Sequence, residues 1–414
     1  MATSRLPTTT TRSSPISKRH MASGNPAQGR YPIAAATLAL LLAGAFMPSP
    51  LYEFYRTHWG LTPAEISIVF AIYAGSLIPS LLFFGGISDD IGRRKTLMIA
   101  LGFSAIGALT FALASNLWWL LAGRMLQGIA IGIGTPTATA AIREWMPDNL
   151  QNRAGLVAIV GIATGSAAGA AMAGILAQYA PLPAKLTFLV YIAFALVLAR
   201  FVQSVPSCPH THSAAHRGLP SIRPSIRRPL LVASGQSFIG WAVISIFASL
   251  VPSLLESALA LHNLVIGSCV ILCVQIGTLL AATVGSRLSN RTAIVVAMLA
   301  LGAGVWTLLL GVPQHIYVLL VLACALAGLG NGLGYLAGLN IVNAVAPPEH
   351  RAETLSVLFV ASYLGFSIPA LTVGIAANHT GLFVAIMGFA LVLGAFAIVT
   401  MFAATPRNLR SATA

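Results

Sequence analysis

Apolar residues in this chain neither alternate nor recur as a stripe; they run in blocks. Twelve blocks of 19 to 26 residues lie at about 32-52, 63-86, 96-114, 117-139, 155-178, 184-204, 229-252, 263-286, 292-312, 316-341, 354-377 and 381-403, with short polar breaks between them. An α-helix rises about 1.5 Å per residue, so each block is long enough to cross roughly 30 Å of hydrocarbon. Helices satisfy their own backbone hydrogen bonds in lipid, and a membrane barrel would alternate over ten-residue segments, which are absent. The pattern predicts an all-α integral membrane protein with twelve transmembrane helices.

Composition agrees. The hydrophobic fraction is 57% and the mean hydropathy +0.86, well above the range of soluble domains. The net charge of +14 invites a nucleic-acid partner, but its distribution argues against one. With both termini placed on the cytoplasmic side, about 20 of the 23 Lys and Arg fall in tails and cytoplasmic loops; Arg56, Arg124 and Lys185 fall elsewhere. That asymmetry is the positive-inside bias, and it orients the chain. The four cysteines give no disulfide framework.

The breaks divide the chain. Residues 1-30, rich in Ser, Thr and Arg without an acid, read as a disordered cytoplasmic tail, and Met21 is an alternative start. Six spans at 31-204 form an N-terminal bundle, and 205-228 is a polar linker with Pro, Ser, His and Arg. Six more spans at 229-404 form a C-terminal bundle, and 405-414 is a short tail. The halves repeat at an offset near 200: Gly128, Gly132 and Gly134 match Gly328, Gly332 and Gly334, Pro147 matches Pro347, and Gly174 matches Gly374.

The most concentrated charge in the apolar region is the break Gly85-Gly86-Ile87-Ser88-Asp89-Asp90-Ile91-Gly92-Arg93-Arg94, followed by Lys95. It resembles the loop between the second and third helices of the major facilitator superfamily, whose pattern is Gly-x-Leu-Ala-Asp-Arg-x-Gly-Arg-Arg. Ile87, Ser88 and Asp90 replace Leu, Ala and the usual base. The resemblance covers roughly residues 30-404. It implies two parallel six-helix repeats with a substrate site between them near the membrane midplane. It also implies a secondary transporter working by alternating access, with Gly85, Asp89, Gly92, Arg93 and Arg94 as a conformational latch. Without the resemblance, the loop is a topogenic charge cluster.

Arg124 lies inside the fourth span, where a charge is expensive unless it faces the bundle interior and finds a partner. Arg124, Gln127 and Gly128 resemble the superfamily's fourth-helix pattern, which in exporters is linked to proton coupling. The alternative is a clamp on backbone carbonyls of the first helix. In the fifth span, Gly161, Gly165, Gly169 and Gly174 make a face for close helix packing. Laid on the exporter pattern, Ala170 stands for proline and Ala173 for a glycine.

Other candidates are scattered. Glu53, just past Pro48 and Pro50, is a second coupling candidate, and the aromatics around it read as interface anchors. Gln127, Gln236, Trp241, Gln275, Asn331, Tyr335, Asn340 and Tyr363 are candidates for lining a substrate cavity, with Phe366 beside them; each is equally explained by helix packing. Cys208, His210, His212 and His216 lack the spacing of a metal site. No cofactor is expected, and no nucleotide-binding module is present. The fragments Pro48-Ser-Pro-Leu-Tyr52 and Leu176-Ala-Gln-Tyr-Ala-Pro181 resemble bacterial drug or sugar efflux permeases. The resemblance therefore implies proton-coupled efflux of small lipophilic or weakly cationic compounds from a bacterial inner membrane, by an antiporter active as a monomer. Transport of a sugar or small metabolite is the alternative; a non-transporting receptor or membrane enzyme is remote.

Overall fold

The computed structural model describes residues 27-84, 87-206, 224-259, 263-285, 287-346 and 351-405. Gly85, the metal-site candidates at 208-216, most of the linker and most of both expected tails lie outside the described residues. Every described element is a helix. The first half holds α1 (Tyr31–Phe46), α2 (Pro48–Trp59), α3 (Pro63–Phe84), α4 (Ile87–Ile91), α5 (Arg93–Ala112), α6 (Leu117–Trp145), α7 (Ala154–Tyr179) and α8 (Pro183–Gln203). The second holds α9 (Arg227–Ser249), α10 (Val251–Leu259), α11 (Leu264–Gly285), α12 (Asn290–Gly311), α13 (Tyr317–Val345), α14 (Arg351–Thr380) and α15 (Leu382–Ala403).

Twelve of these helices are long and apolar enough to cross a membrane. The first span continues past its expected end. Pro48 stands at the first position of α2, where its missing N–H is tolerated, so the helix is interrupted at Met47 and resumes to Trp59. Gly60 then closes α2 in the left-handed region at φ 66°. The third span starts at Arg93, ahead of its apolar block, because Gly92 at φ 93° breaks the chain there. At the start of α3, Glu65 accepts from the Thr62 backbone N–H at 2.7 Å while the Thr62 hydroxyl accepts from the Glu65 N–H at 3.2 Å. This reciprocal pair satisfies donors that a helix start leaves open.

The two halves pack by one scheme. In the first, α1 lies on α6 and α7, α3 lies on α6, and α5 lies on α6 and α8. In the second, α9 lies on α13 and α14, α11 on α13, and α12 on α13 and α15. The repeated glycines explain the match. Ideal Cβ atoms on Gly128 and Gly132 would strike the Tyr73 and Leu77 carbonyls of α3, and on Gly328 and Gly332 the Val274 and Thr278 carbonyls of α11. Small residues let these backbones touch, which is how helices gain contact in lipid.

The glycine stripe of α7 divides between two jobs. Gly161, Gly165 and Gly169 meet Ala35, Ala39 and Ala43 of α1, one turn apart. Gly174 instead meets Ser268 of α11, in the other half. Substituting Gly165→Ala is expected to destabilise by about 1–3 kcal/mol, since its Cβ would overlap Ala39 backbone. Gly102→Ala in α5, where nothing lies within 4 Å, is expected to be neutral or stabilising by up to about 1 kcal/mol. Thermal midpoints of the two purified variants check this; equal midpoints would refute the packing account.

Candidate functional site

Two turns into α6, Arg124 is 2% exposed. A buried guanidinium must place its donors, and this one does so on neutral groups. Its Nε donates to the Tyr52 hydroxyl at 2.7 Å, and its Nη2 reaches the same oxygen. Its Nη1 donates to the Ala45 carbonyl at 2.7 Å and to Gln127 Oε1 at 3.0 Å. Gln127 Nε2 donates in turn to the Gly44 carbonyl at 2.9 Å.

Local sequence explains the need. The helix partner of the Gly44 carbonyl would be the N–H of residue 48, which is proline. Pro48 therefore leaves the Gly44 carbonyl open; Gln127 takes it from α6, and Arg124 donates to the neighbouring Ala45 carbonyl. Of the two readings of Arg124, the carbonyl clamp is what the geometry displays. Among the described residues no carboxylate pairs with it. Tyr52 and Tyr55, expected to anchor at the interface, are instead 1% exposed. The α2 extension sets Tyr52 against Arg124 and Phe70, and Tyr55 against Phe54 and Trp59.

From Arg124 a file of rings crosses between the halves. The guanidinium carbon lies 5.5 Å from the Tyr73 ring centre and 5.8 Å from that of Phe70, both on α3. These distances suit cation–π attraction. Phe366 of α14 packs at 4.6 Å from Phe70 and 6.0 Å from Tyr73. Trp241 of α9 follows at 5.6 Å from Phe366, with Tyr335 at 6.3 Å and Tyr363 at 6.1 Å beyond it. The structure thus brings together Arg124, Gln127, Trp241, Tyr335 and Tyr363. Sequence reasoning missed Phe70 and Tyr73, which look like ordinary packing residues inside an apolar block.

Beside the rings sit buried amides. Gln236, 1% exposed, lies against Gly334, and Asn331, 8% exposed, lies against Gly240. Both amide atoms of Gln236, Asn331 Oδ1 and Trp241 Nε1 have no hydrogen-bond partner. The remaining cavity candidates stand apart. Gln275 is buried on α11 with no hydrogen bond to this group among the described residues, and Asn340 is exposed on α13. Glu53 lies in α2 and Asp89 in α4.

The halves meet along two seams at the end of the bundle that carries α2 and α10. On one, Ser268 Oγ donates to the Ala170 carbonyl at 2.6 Å, Gln178 Oε1 accepts from the Leu264 N–H at 2.9 Å, and Asn263 donates to the Tyr179 hydroxyl at 3.1 Å. On the other, Gly374 of α14 packs on Ser67 and Pro63 of α3, and the buried Ser67 hydroxyl has no partner. At the opposite end, Arg93 pairs with Glu144 at 2.7 Å and donates to Ser88, while Arg94 donates to the Val205 carbonyl at 3.1 Å. These contacts of the expected latch lie within the first half.

A sequence profile described as the Major Facilitator Superfamily matches residues 34–370 and, in an overlapping match, 234–413. The niacin transporter NiaP of Acinetobacter baylyi is 32% identical over 95 residues, 23% of this chain and 22% of that protein. The quinolone resistance protein NorA of Staphylococcus aureus is 23% identical over 226 residues, 54% of this chain and 56% of that protein. The sugar transporter ERD6-like 15 of Arabidopsis thaliana is 37% identical over 117 residues, 27% of this chain and 24% of that protein. The matches thus span from about a quarter to about half of these relatives. An inward-facing bacterial homolog of the human lysosomal transporter Spinster shares the fold at TM-score 0.70 and 16% identity, over 93% of this chain and 98% of that one. The nucleoside transporter NupG does so at TM-score 0.70 and 14% identity, over 92% and 99%. This chain belongs to the major facilitator superfamily and is an integral, multi-pass membrane protein.

Proposed function

We propose that this protein is a transporter that works by alternating access and exports small, largely apolar molecules in exchange for protons. In this reading it acts as a monomer in a bacterial inner membrane with both termini cytoplasmic. The observation that carries it is the pair of seams. At the seams the halves touch through glycine, serine and a few amides, and deeper in through Phe366 on Phe70 and Tyr73, so parting them breaks short polar contacts and uncovers an aromatic surface. One chain supplies both halves, and the basic loops support an orientation with the 85-95 end inside. An aromatic core between the halves suits lipophilic solutes, and the quinolone resistance protein among the relatives fits an exporter.

Arg124 bears on charge. At an effective dielectric near 20, two unit charges about 10 Å apart interact by roughly 1.7 kcal/mol, more than tenfold in affinity. With no carboxylate paired to it among the described residues, Arg124 disfavours cations in the core. We therefore place neutral solutes ahead of the weakly cationic ones that the sequence resemblance implies. A metabolite transporter is the second reading, favoured by the buried amides of Gln236 and Asn331.

In liposomes, a neutral lipophilic fluorophore is expected to move only under an imposed pH gradient; equal flux with the gradient collapsed would remove proton coupling. Arg124→Gln and Arg124→Lys are both expected to lower gradient-driven flux by at least about tenfold, because neither supplies the forked donor set. Wild-type flux from either, measured on monodisperse protein, would sink the coupling role. Gly374→Leu is expected to block flux by holding the α3–α14 seam apart, whereas Gly388→Leu, with nothing within 4 Å, retains it. Equal rates for the two would dismiss the seams as gates.

A further inference from the structure

The polar atoms in the core are not those that packing requires. At the offset of 200 that relates the halves, Asn331 stands where the first half has Ile131, which is itself buried. An aliphatic side chain therefore serves that backbone position. An amide there carries a desolvation cost that only a partner offsets. Gln236 carries the same cost on the facing helix. Each amide also has a place made for it: an ideal Cβ on Gly240 would stand 2.7 Å from Asn331 Oδ1, and one on Gly334 would overlap the Gln236 amide. Both glycines lie at the α9–α13 contact.

Three further facts bear on what meets these groups. Trp241 presents an unpartnered indole N–H, and its ring is half-buried, as are Tyr335 and Tyr363. The three rings border Phe366, which touches Phe70 and Tyr73 of the first half. Arg124 lies behind those two rings with no acid paired to it among the described residues. Trp241 and Tyr335 thus stand on α9 and α13, the two helices that carry the unpartnered amides, with the positive charge on the far side of Phe70 and Tyr73.

We infer that this place binds a flat aromatic molecule bearing an exocyclic carbonyl group, an aryl carboxylate or carboxamide. The ring packs among Trp241, Tyr335, Tyr363 and Phe366. The carbonyl oxygen accepts from Trp241 Nε1–H and from the amide N–H of Gln236 or Asn331, whose oxygen and nitrogen can exchange places by rotation. A carboxamide also donates to the amide oxygen left over. The Arg124 field ranks the carboxylate first, the neutral amide second and an aryl cation last. The inference rests on the chain being a transporter only for the fate of the molecule; the site itself is a matter of binding.

Benzoate, benzamide and benzylammonium share one ring and differ in charge, so they are the probes. Binding is followed by ligand-observed NMR on the full chain in lipid nanodiscs, with flux of the same three measured in liposomes. Benzoate is expected to bind at least tenfold more tightly than benzylammonium, with benzamide between. Trp241→Phe keeps the ring and removes the donor, and is expected to weaken benzoate and benzamide about tenfold while leaving benzylammonium unchanged. Asn331→Leu supplies the aliphatic character of Ile131, and it is expected to lose the advantage of benzamide over benzylammonium. Benzylammonium binding as tightly as benzoate overturns the site, as does a Trp241→Phe protein with wild-type affinities, or absence of binding by all three. Binding without flux leaves the site standing and removes the export reading. Gradient-driven flux of other solutes without binding of these does the reverse.

Discussion

The arrangement of the core depends on one constraint: a helix interrupted by proline must have the carbonyl that proline leaves open taken by something. Pro48 cannot return a hydrogen bond to Gly44, and in a membrane no water is at hand to replace it. Gln127 and Arg124 take the Gly44 and Ala45 carbonyls from α6, and Tyr52, placed by the continued helix α2, takes the rest of the guanidinium. A buried charge is thereby held by dipoles and rings, with no acid paired to it among the described residues. The first helix is fixed from three sides, since Tyr191 of α8 also donates to its Leu40 carbonyl at 3.1 Å and α7 lies against it through glycine.

The repeat shows what duplication kept and what it let go. The glycines that bring α6 onto α3 and α13 onto α11 persist at an offset of 200, because a Cβ at any of them would collide with backbone. The polar groups of the core do not persist. Arg124 corresponds to Cys324, and Asn331 to Ile131. Packing is shared between the halves, while charge belongs to the first and unpartnered amides to the second.

Much of this was legible in order of sequence. Twelve apolar blocks and their glycines announced the helices, since lipid demands both length and close contact. Arg124 and Gln127 were legible because a charge and an amide three residues apart in such a block face the same side. Tyr52 was not, because an aromatic near a helix end looks like an interface anchor until the helix is seen to continue past it. The prolines carried the missing signal: Pro48 at a helix start frees a carbonyl without ending the helix. Phe70 and Tyr73 were hidden because a ring within an apolar block has no sequence mark that separates a site wall from packing. The α7 stripe read as one face, yet Gly174 belongs to the other half, a division that only the tertiary arrangement decides.

The two seams also differ in how they are fastened. Ser268 spends its hydroxyl on the Ala170 carbonyl, and two more hydrogen bonds flank it; Ser67, its counterpart at an offset of 201, spends its hydroxyl on nothing. Pro63 likewise has no N–H to offer where Leu264 donates to Gln178. A door swings about its fastened edge. By that rule the α7–α11 side would be the hinge post and the α3–α14 side the free edge of any motion that parts the halves at this end, because three hydrogen bonds fasten the one and the Ser67 hydroxyl fastens nothing on the other.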